Sequence, residues 1–173
     1  MNKLALMVSI LLALLAGCTQ AVRENGPNGD SHAQGGDFTL TFPFGWREEK
    51  YEDGSIVAHD KTKDNYRENI LVAFRKAQDE ETAVSVHEKA KTELSELPGY
   101  RELETGSVTI ADTEAKRAIY TFKGLRGLLK AQAYYFVIGG RAFFIICTAE
   151  SSQYDNYRNT FEAIAKSFMV EQQ

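Results

Sequence analysis

The chain has 173 residues, with 20 Lys+Arg against 24 Asp+Glu and a formal net charge of −4. A mildly acidic balance lacks the cationic footprint that grips a phosphate backbone, so no nucleic acid is expected as a partner. Two cysteines and three histidines are too few for a disulfide framework and sparse for a metal site.

The chain opens with Met-Asn-Lys, and an apolar run from Leu4 to Leu15 follows, broken only by Ser9. The run is shorter than the about 20 residues a spanning helix needs. It suits the apolar region of an export signal, typically about 7–15 residues. The run ends in Leu15-Ala16-Gly17-Cys18. These four residues resemble the lipobox of bacterial lipoproteins. The resemblance implies cleavage before Cys18, a diacylglyceryl thioether on its sulfur and acylation, palmitate included, of its freed amine. Two or more acyl chains hold a protein firmly to a membrane, whereas one does so only marginally. Removing residues 1–17 takes away Lys3 and no acid, so the mature charge is −5. With Cys18 consumed, Cys147 has no partner for an internal disulfide and is expected as a small buried hydrophobe.

Residues 18–36 read as a tether, because 19–36 contain no aromatic residue and are rich in Gly, Asn and Ser. A flexible coil of this length spans roughly 25 Å. Residues 37–173 then form one domain. Phe38–Phe42 alternates apolar and polar as a half-buried strand does, and Pro43 and Gly45 close it before Trp46. Ser55–His59 and Asn69–Arg75 are the next strands, on either side of the polar loop Asp60–Glu68. Ala83, Val86, Ala90, Leu94 and Leu97 make one helical stripe, with Asp79 as its cap, Glu80 and Glu81 at its positive end and Pro98-Gly99 as its stop.

The central part is β. Arg101–Ile110 and Glu114–Phe122 flank a turn at Ala111–Thr113, and Leu128–Ile138 and Arg141–Ala149 flank Gly139-Gly140, a pair suited to a primed hairpin turn. The last of these strands is apolar on both faces, which predicts a central position. A closing helix follows, with Tyr154, Tyr157, Phe161, Ile164 and Phe168 on one stripe and Ser152 with Asp155 as a capping box. The expected class is α+β, an α/β/α sandwich with an antiparallel sheet flanked by helices.

Several local runs carry a resemblance: FTLTFPFGW (Phe38–Trp46), Gly106…Ala115-Lys116-Arg117…Tyr120, Gly139-Gly140-Arg141 and TFEAIAKSF (Thr160–Phe168). Together they resemble the Mog1/PsbP/DcrB-like superfamily, and most of all its DcrB-type lipoproteins. The resemblance implies the sandwich fold and a non-enzymatic protein. Its relatives include a photosystem II extrinsic subunit, a Ran-binding protein, envelope lipoproteins and type VI secretion chaperones. The export signal departs from the chaperones.

Chemical motifs are scarce. His32, His59 and His87 show no ligand spacing, and Asp60, Asp64 and Glu68 are interleaved with Lys61, Lys63 and Arg67, so no metal or cofactor is expected. No serine stands in a nucleophile elbow and no glycine run has phosphate-loop spacing. A dyad of Cys147 with a histidine stays open, and Trp46 is expected over a sheet edge rather than against a ligand. One pattern stands out: no acid lies between Glu114 and Glu150, while Lys116, Arg117, Lys123, Arg126, Lys130 and Arg141 do. Within it, Lys123, Leu125, Arg126, Leu128, Leu129 and Lys130 form a candidate contact for a membrane or partner. The chain therefore reads as a lipid-anchored cell-envelope protein, periplasm-facing in a Gram-negative cell, that binds or assembles with another envelope protein. Binding of a small ligand or metal ion is the alternative.

Overall fold

The computed structural model describes residues 31–34, 38–60, 68–125 and 127–170. Among the described residues, ten strands and two helices follow one another: β1 Ser31–Gln34, β2 Phe38–Phe42, β3 Trp46–Lys50, β4 Ile56–Asp60, β5 Asn69–Lys76, α1 Ala83–Leu94, β6 Arg101–Ile110, β7 Thr113–Gly124, β8 Gly127–Ile138, β9 Arg141–Glu150, α2 Tyr154–Lys166 and β10 Met169–Val170. No helix among the described residues is long and apolar enough to cross a membrane.

Seven strands form an antiparallel sheet in the order β3-β4-β5-β9-β8-β7-β6. β9 lies at its middle, as its two apolar faces require. Phe143, Ile145 and Cys147 pack into the core on one face, Phe144 and Ile146 into the core on the other. α1 covers the second face, its Val86, Ala90 and Leu94 meeting Tyr120, Phe122, Leu129 and Tyr135. The first face is covered by α2 and by a smaller sheet, β1-β2-β10. That layer is thus part helix and part sheet. It closes over a ring cluster in which Phe168 lies 4.9 Å from Phe143, 5.0 Å from Phe136 and 5.4 Å from Phe38.

β1 falls inside the stretch whose composition suggests only a tether, so the domain reaches back to Ser31. Its four residues pair with β2, Ser31 opposite Phe42 and Gln34 opposite Thr39. The first helix is capped one turn later than its carboxylates suggest. Glu80 takes a left-handed φ of 58°, and Glu81 turns back to hold Arg75 through two 2.7 Å bonds and Lys89 at 2.9 Å. Thr82 is the cap, and its side chain and that of Ser85 bond each other's backbone N–H reciprocally. α1 ends at Leu94, with Leu97 still buried in the turn beyond. In α2 the N-cap is Gln153, which makes no side-chain cap bond, so Ser152 and Asp155 form no capping box.

Antiparallel pairing gives the sheet two distinct ends. β3, β5, β6 and β8 start, and β4, β7 and β9 finish, at what we call the lower end. The turn after β2 lies there too, and because Ser31 sits opposite Phe42, β1 begins there. The upper end holds the turns 51–55, 77–82, 111–112 and 139–140.

Candidate interaction surface

The β7–β8 hairpin projects at the lower end, closed by Gly124 opposite Gly127. A side chain at Gly124 would put its Cβ 2.7 Å from Leu129 Cδ1, so the close approach of Leu129 requires glycine there. Strand alternation then sorts the three leucines. Leu129 points into the core beneath α1 and is 5% exposed, so it leaves the candidate contact set. Leu128, its neighbour, faces the other way at 49% exposure, and Leu125 at the tip is 73% exposed. Lys123 is exposed and makes no ion pair among the described residues. Its backbone N–H donates to Pro98 O at 2.7 Å, and its methylene stem lies over Gly99. Lys130 is engaged: its Nζ sits 4.1 Å from the centre of the Tyr154 ring and 4.0 Å from Asp155 Oδ1. Arg126 and Cys18 lie outside the described residues.

The acid-free stretch does not fold into an unbroken cationic face. Arg117 is paired with Glu104 from β6, Lys130 is met by Asp155 from α2, and Arg141 lies over the Phe74 ring at 5.3 Å. Acids distant in sequence thus supply the counter-charges, leaving the hairpin tip as its exposed part. A short network fixes that hairpin to α2: Tyr154 Oη donates to Gln132 Oε1 at 2.5 Å, and Gln132 Nε2 donates to Tyr134 Oη. Burial pushes the Tyr154 hydroxyl up to about 12, so it stays a donor.

On the α1 face, His87 Nε2 lies 2.9 Å from Glu102 Oε2, and Lys91 Nζ donates to Glu102 Oε1 at 2.7 Å. Burial raises the Glu102 carboxyl, but hydrogen bonds from Lys91 and His87 outweigh it and hold it below its ordinary range. This cluster ties α1 to the edge strand β6. Cys147 is fully buried, and burial alone pushes its thiol up. Register places it on the α2 face, whereas His87 comes from α1 and His59 shares the α1 face with Val57. The sheet therefore separates the thiol from both histidines, and neither forms a dyad with it. Asp60 accepts from Tyr157 Oη at 3.1 Å, Asp64 and the side chain of His32 lie outside the described residues, and no group of three metal-ligating side chains occurs among those described. Trp46 is 6% exposed and stacks on Phe42 at 6.4 Å, within the core.

Several exposed apolar residues escaped the sequence reading, Phe44, Val84 and Met169 among them. Phe44, between Pro43 and Gly45 at the lower end, is 82% exposed. The signal was available: an aromatic inside a Pro-Gly turn has no strand neighbour to pack against.

An antiparallel sheet backed by α1 on one face and by α2 with a small sheet on the other is a PsbP-like fold. The solution structure of cyanobacterial PsbP (CyanoP) from Synechocystis sp. PCC 6803 shares it with a TM-score of 0.64 at 13% identity, over 87% of this chain and 98% of that one. The crystal structure of LpqN, involved in cell envelope biogenesis of Mycobacterium tuberculosis, gives 0.63 at 14% identity, over 83% and 91%. A crystal structure from Bacteroides thetaiotaomicron VPI-5482 gives 0.58 at 14% identity, over 84% of this chain and 49% of that one. At such identities the likeness is one of fold. In sequence, the family described as the serine/threonine kinase C-terminal domain matches residues 31–170, and the chain belongs to that family. The match starts on the first residue of β1 and ends on the last of β10. No curated protein matches the chain in sequence.

Proposed function

We propose that the chain is an extracytoplasmic lipoprotein, held to a membrane by lipid on Cys18, whose domain is a non-enzymatic module that binds or assembles with another envelope protein. The observation that carries this is the run Leu15-Ala16-Gly17-Cys18, separated from β1 only by residues 19–30. An acylated cysteine so close to the fold keeps the domain near the bilayer and raises its local concentration over any partner there. The fold shared with LpqN supports an envelope setting, and the export signal fits the DcrB-type branch of that fold. The hairpin residues Lys123, Leu125 and Leu128 offer contact chemistry, exposed apolar side chains beside a cation.

Two readouts test this. A palmitate analogue fed to cells is expected to label the wild-type chain and not Cys18→Ala, and a carbonate wash is expected to release only the variant from membranes. A membrane-permeant crosslinker applied to cells is expected to join the full chain to an envelope protein. A wild-type chain that takes no label and washes off contradicts the anchor. A small molecule that co-purifies with the chain, with no protein captured, favours the ligand-binding alternative.

A further inference from the structure

The two most exposed apolar side chains, Phe44 and Leu125, lie at one end of the sheet, while Tyr51, Val84 and Met169 are exposed towards the other. Phe44, Leu125 and Leu128 are 82%, 73% and 49% exposed, and all lie at the lower end, in the turn after β2 and at the β7–β8 tip. The turn after β2 precedes β3, one edge of the sheet, and the hairpin lies near the other edge. With strands about 4.8 Å apart, the two tips stand roughly 20 Å from one another. Neither turn needs these residues for its backbone: a Pro-x-Gly turn and a two-residue hairpin loop accept polar side chains and ordinarily carry them.

Charge is divided in the same sense. At the lower end, the described residues of the connections, 43–45, 68, 95–100, 125 and 151–153, contain two acids, the exposed Glu96 and the buried Glu68. At the upper end, 51–55, 77–82, 111–112 and 139–140 contain six: Glu52, Asp53, Asp79, Glu80, Glu81 and Asp112. Lys123 and Arg101, both exposed, stand at the lower end.

The chain outside the fold arrives at that end. β1 starts at Ser31 opposite Phe42, so residues 19–30 lead from the lower end to Cys18. Twelve residues separate Cys18 from β1.

The geometry points to the lower end as a membrane-docking face: Phe44, Leu125 and Leu128 enter the headgroup region of the bilayer that holds Cys18, with Lys123 and Arg101 against anionic headgroups. This rests on the lipid anchor proposed above and names the occupant of the hairpin surface. It also directs the acidic upper end away from the membrane.

The test uses the full lipidated chain in vesicles of phosphatidylcholine and phosphatidylglycerol. Single cysteines introduced by Phe44→Cys, Leu125→Cys and, at the opposite end, Asp112→Cys receive an environment-sensitive nitrobenzoxadiazole label, since Cys147 is buried and Cys18 is acylated. Fluorescence at 44 and 125 is expected to shift to the blue and to be quenched by headgroup-proximal spin-labelled lipid, at least about threefold more than at 112. With the label at 44, Leu125→Ser/Leu128→Ser is expected to lower that quenching; both side chains are exposed, so folding is not at stake. Equal quenching at 112 and 125, or none at 44 and 125 while the chain floats with the vesicles, overturns the docking face and leaves the anchor intact. Crosslinking of position 125 to a protein with no lipid quenching overturns it in favour of a protein occupant. A wild-type chain that neither takes a palmitate label nor floats overturns anchor and docking together.

Discussion

At the upper end of the seven-stranded sheet the chain turns through Glu52-Asp53-Gly54, Gln78–Thr82, Ala111-Asp112 and Gly139-Gly140. At the lower end it turns through Pro43-Phe44-Gly45, Pro98-Gly99 and Gly124–Gly127. The same strands feed both sets. The upper turns hold residues that such turns commonly use, with acids that keep them wet. The lower turns use proline and glycine for the backbone and then add Phe44 and Leu125, which no turn needs. Scattered singly, exposed apolar residues carry no message. Set at the end where β1 begins, Phe44 and Leu125 are the residues that the proposed membrane contact would use.

The largest expected effect separates the exposed apolar residues of the lower end from the core beside them. Leu129→Ala should lower unfolding free energy by about 3 kcal/mol, by removing a buried side chain beneath α1. Leu128→Ser and Leu125→Ser should change it by less than about 0.5 kcal/mol. Urea titration of the three variants reads this directly, and a large loss for Leu128→Ser would break the distinction between packed and presented leucines.

At the upper end the counterpart is Glu81, whose side chain is 1% exposed and fully engaged by Arg75 and Lys89. Hydrogen bonds from Arg75 hold its carboxyl at about 2, below the ordinary 4.5. Glu81→Gln should cost about 2 kcal/mol at neutral pH. Because the folded value lies below the unfolded one, the stabilisation is complete above about pH 4.5 and is lost as pH falls towards about 2. The gap between wild type and variant should close over that window in acid-denaturation curves. A gap that persists below it would assign the effect to packing rather than charge.

Smaller effects are expected in the upper turns themselves. Ala111 and Asp112 hold φ values of 47° and 55° without being glycine. Asp112→Gly, at an exposed position, should therefore stabilise by about 0.5–1 kcal/mol, while Gly139→Ala, at φ 58°, should destabilise by about 1 kcal/mol. Thermal melts resolve both. The two ends would lose their contrast if Asp112→Gly were destabilising, since the upper turns would then hold contacts of their own.

Much of this fold can be read from the chain. The two-faced apolarity of Phe143–Cys147 puts β9 at the centre, Gly139-Gly140 marks its hairpin, and the stripes of α1 and α2 name the residues that pack. What stays hidden depends on partners distant in sequence. Ser31–Gln34 has no apolar alternation and is a strand because β2 offers it an edge. Thr82 caps α1 because Arg75 and Lys89 draw Glu81 into an ion pair. The acid-free stretch looks cationic in line, but Glu104 and Asp155 meet two of its charges. Of the contact residues, the tip leucines are visible as a cluster. Only the pleat divides Leu128 from Leu129, and only the topology sets Phe44 at the same end.

Hydrogen exchange on the vesicle-bound lipidated chain, compared with the same chain carrying Phe44→Ser/Leu125→Ser/Leu128→Ser, tests the lower end most directly. The expected result is slower exchange in the wild type at the peptides covering 43–45 and 123–128, and unchanged exchange at those covering 111–112 and 139–140. Equal rates in the two chains at the lower end, or protection shared by both ends, would contradict a membrane-facing lower end.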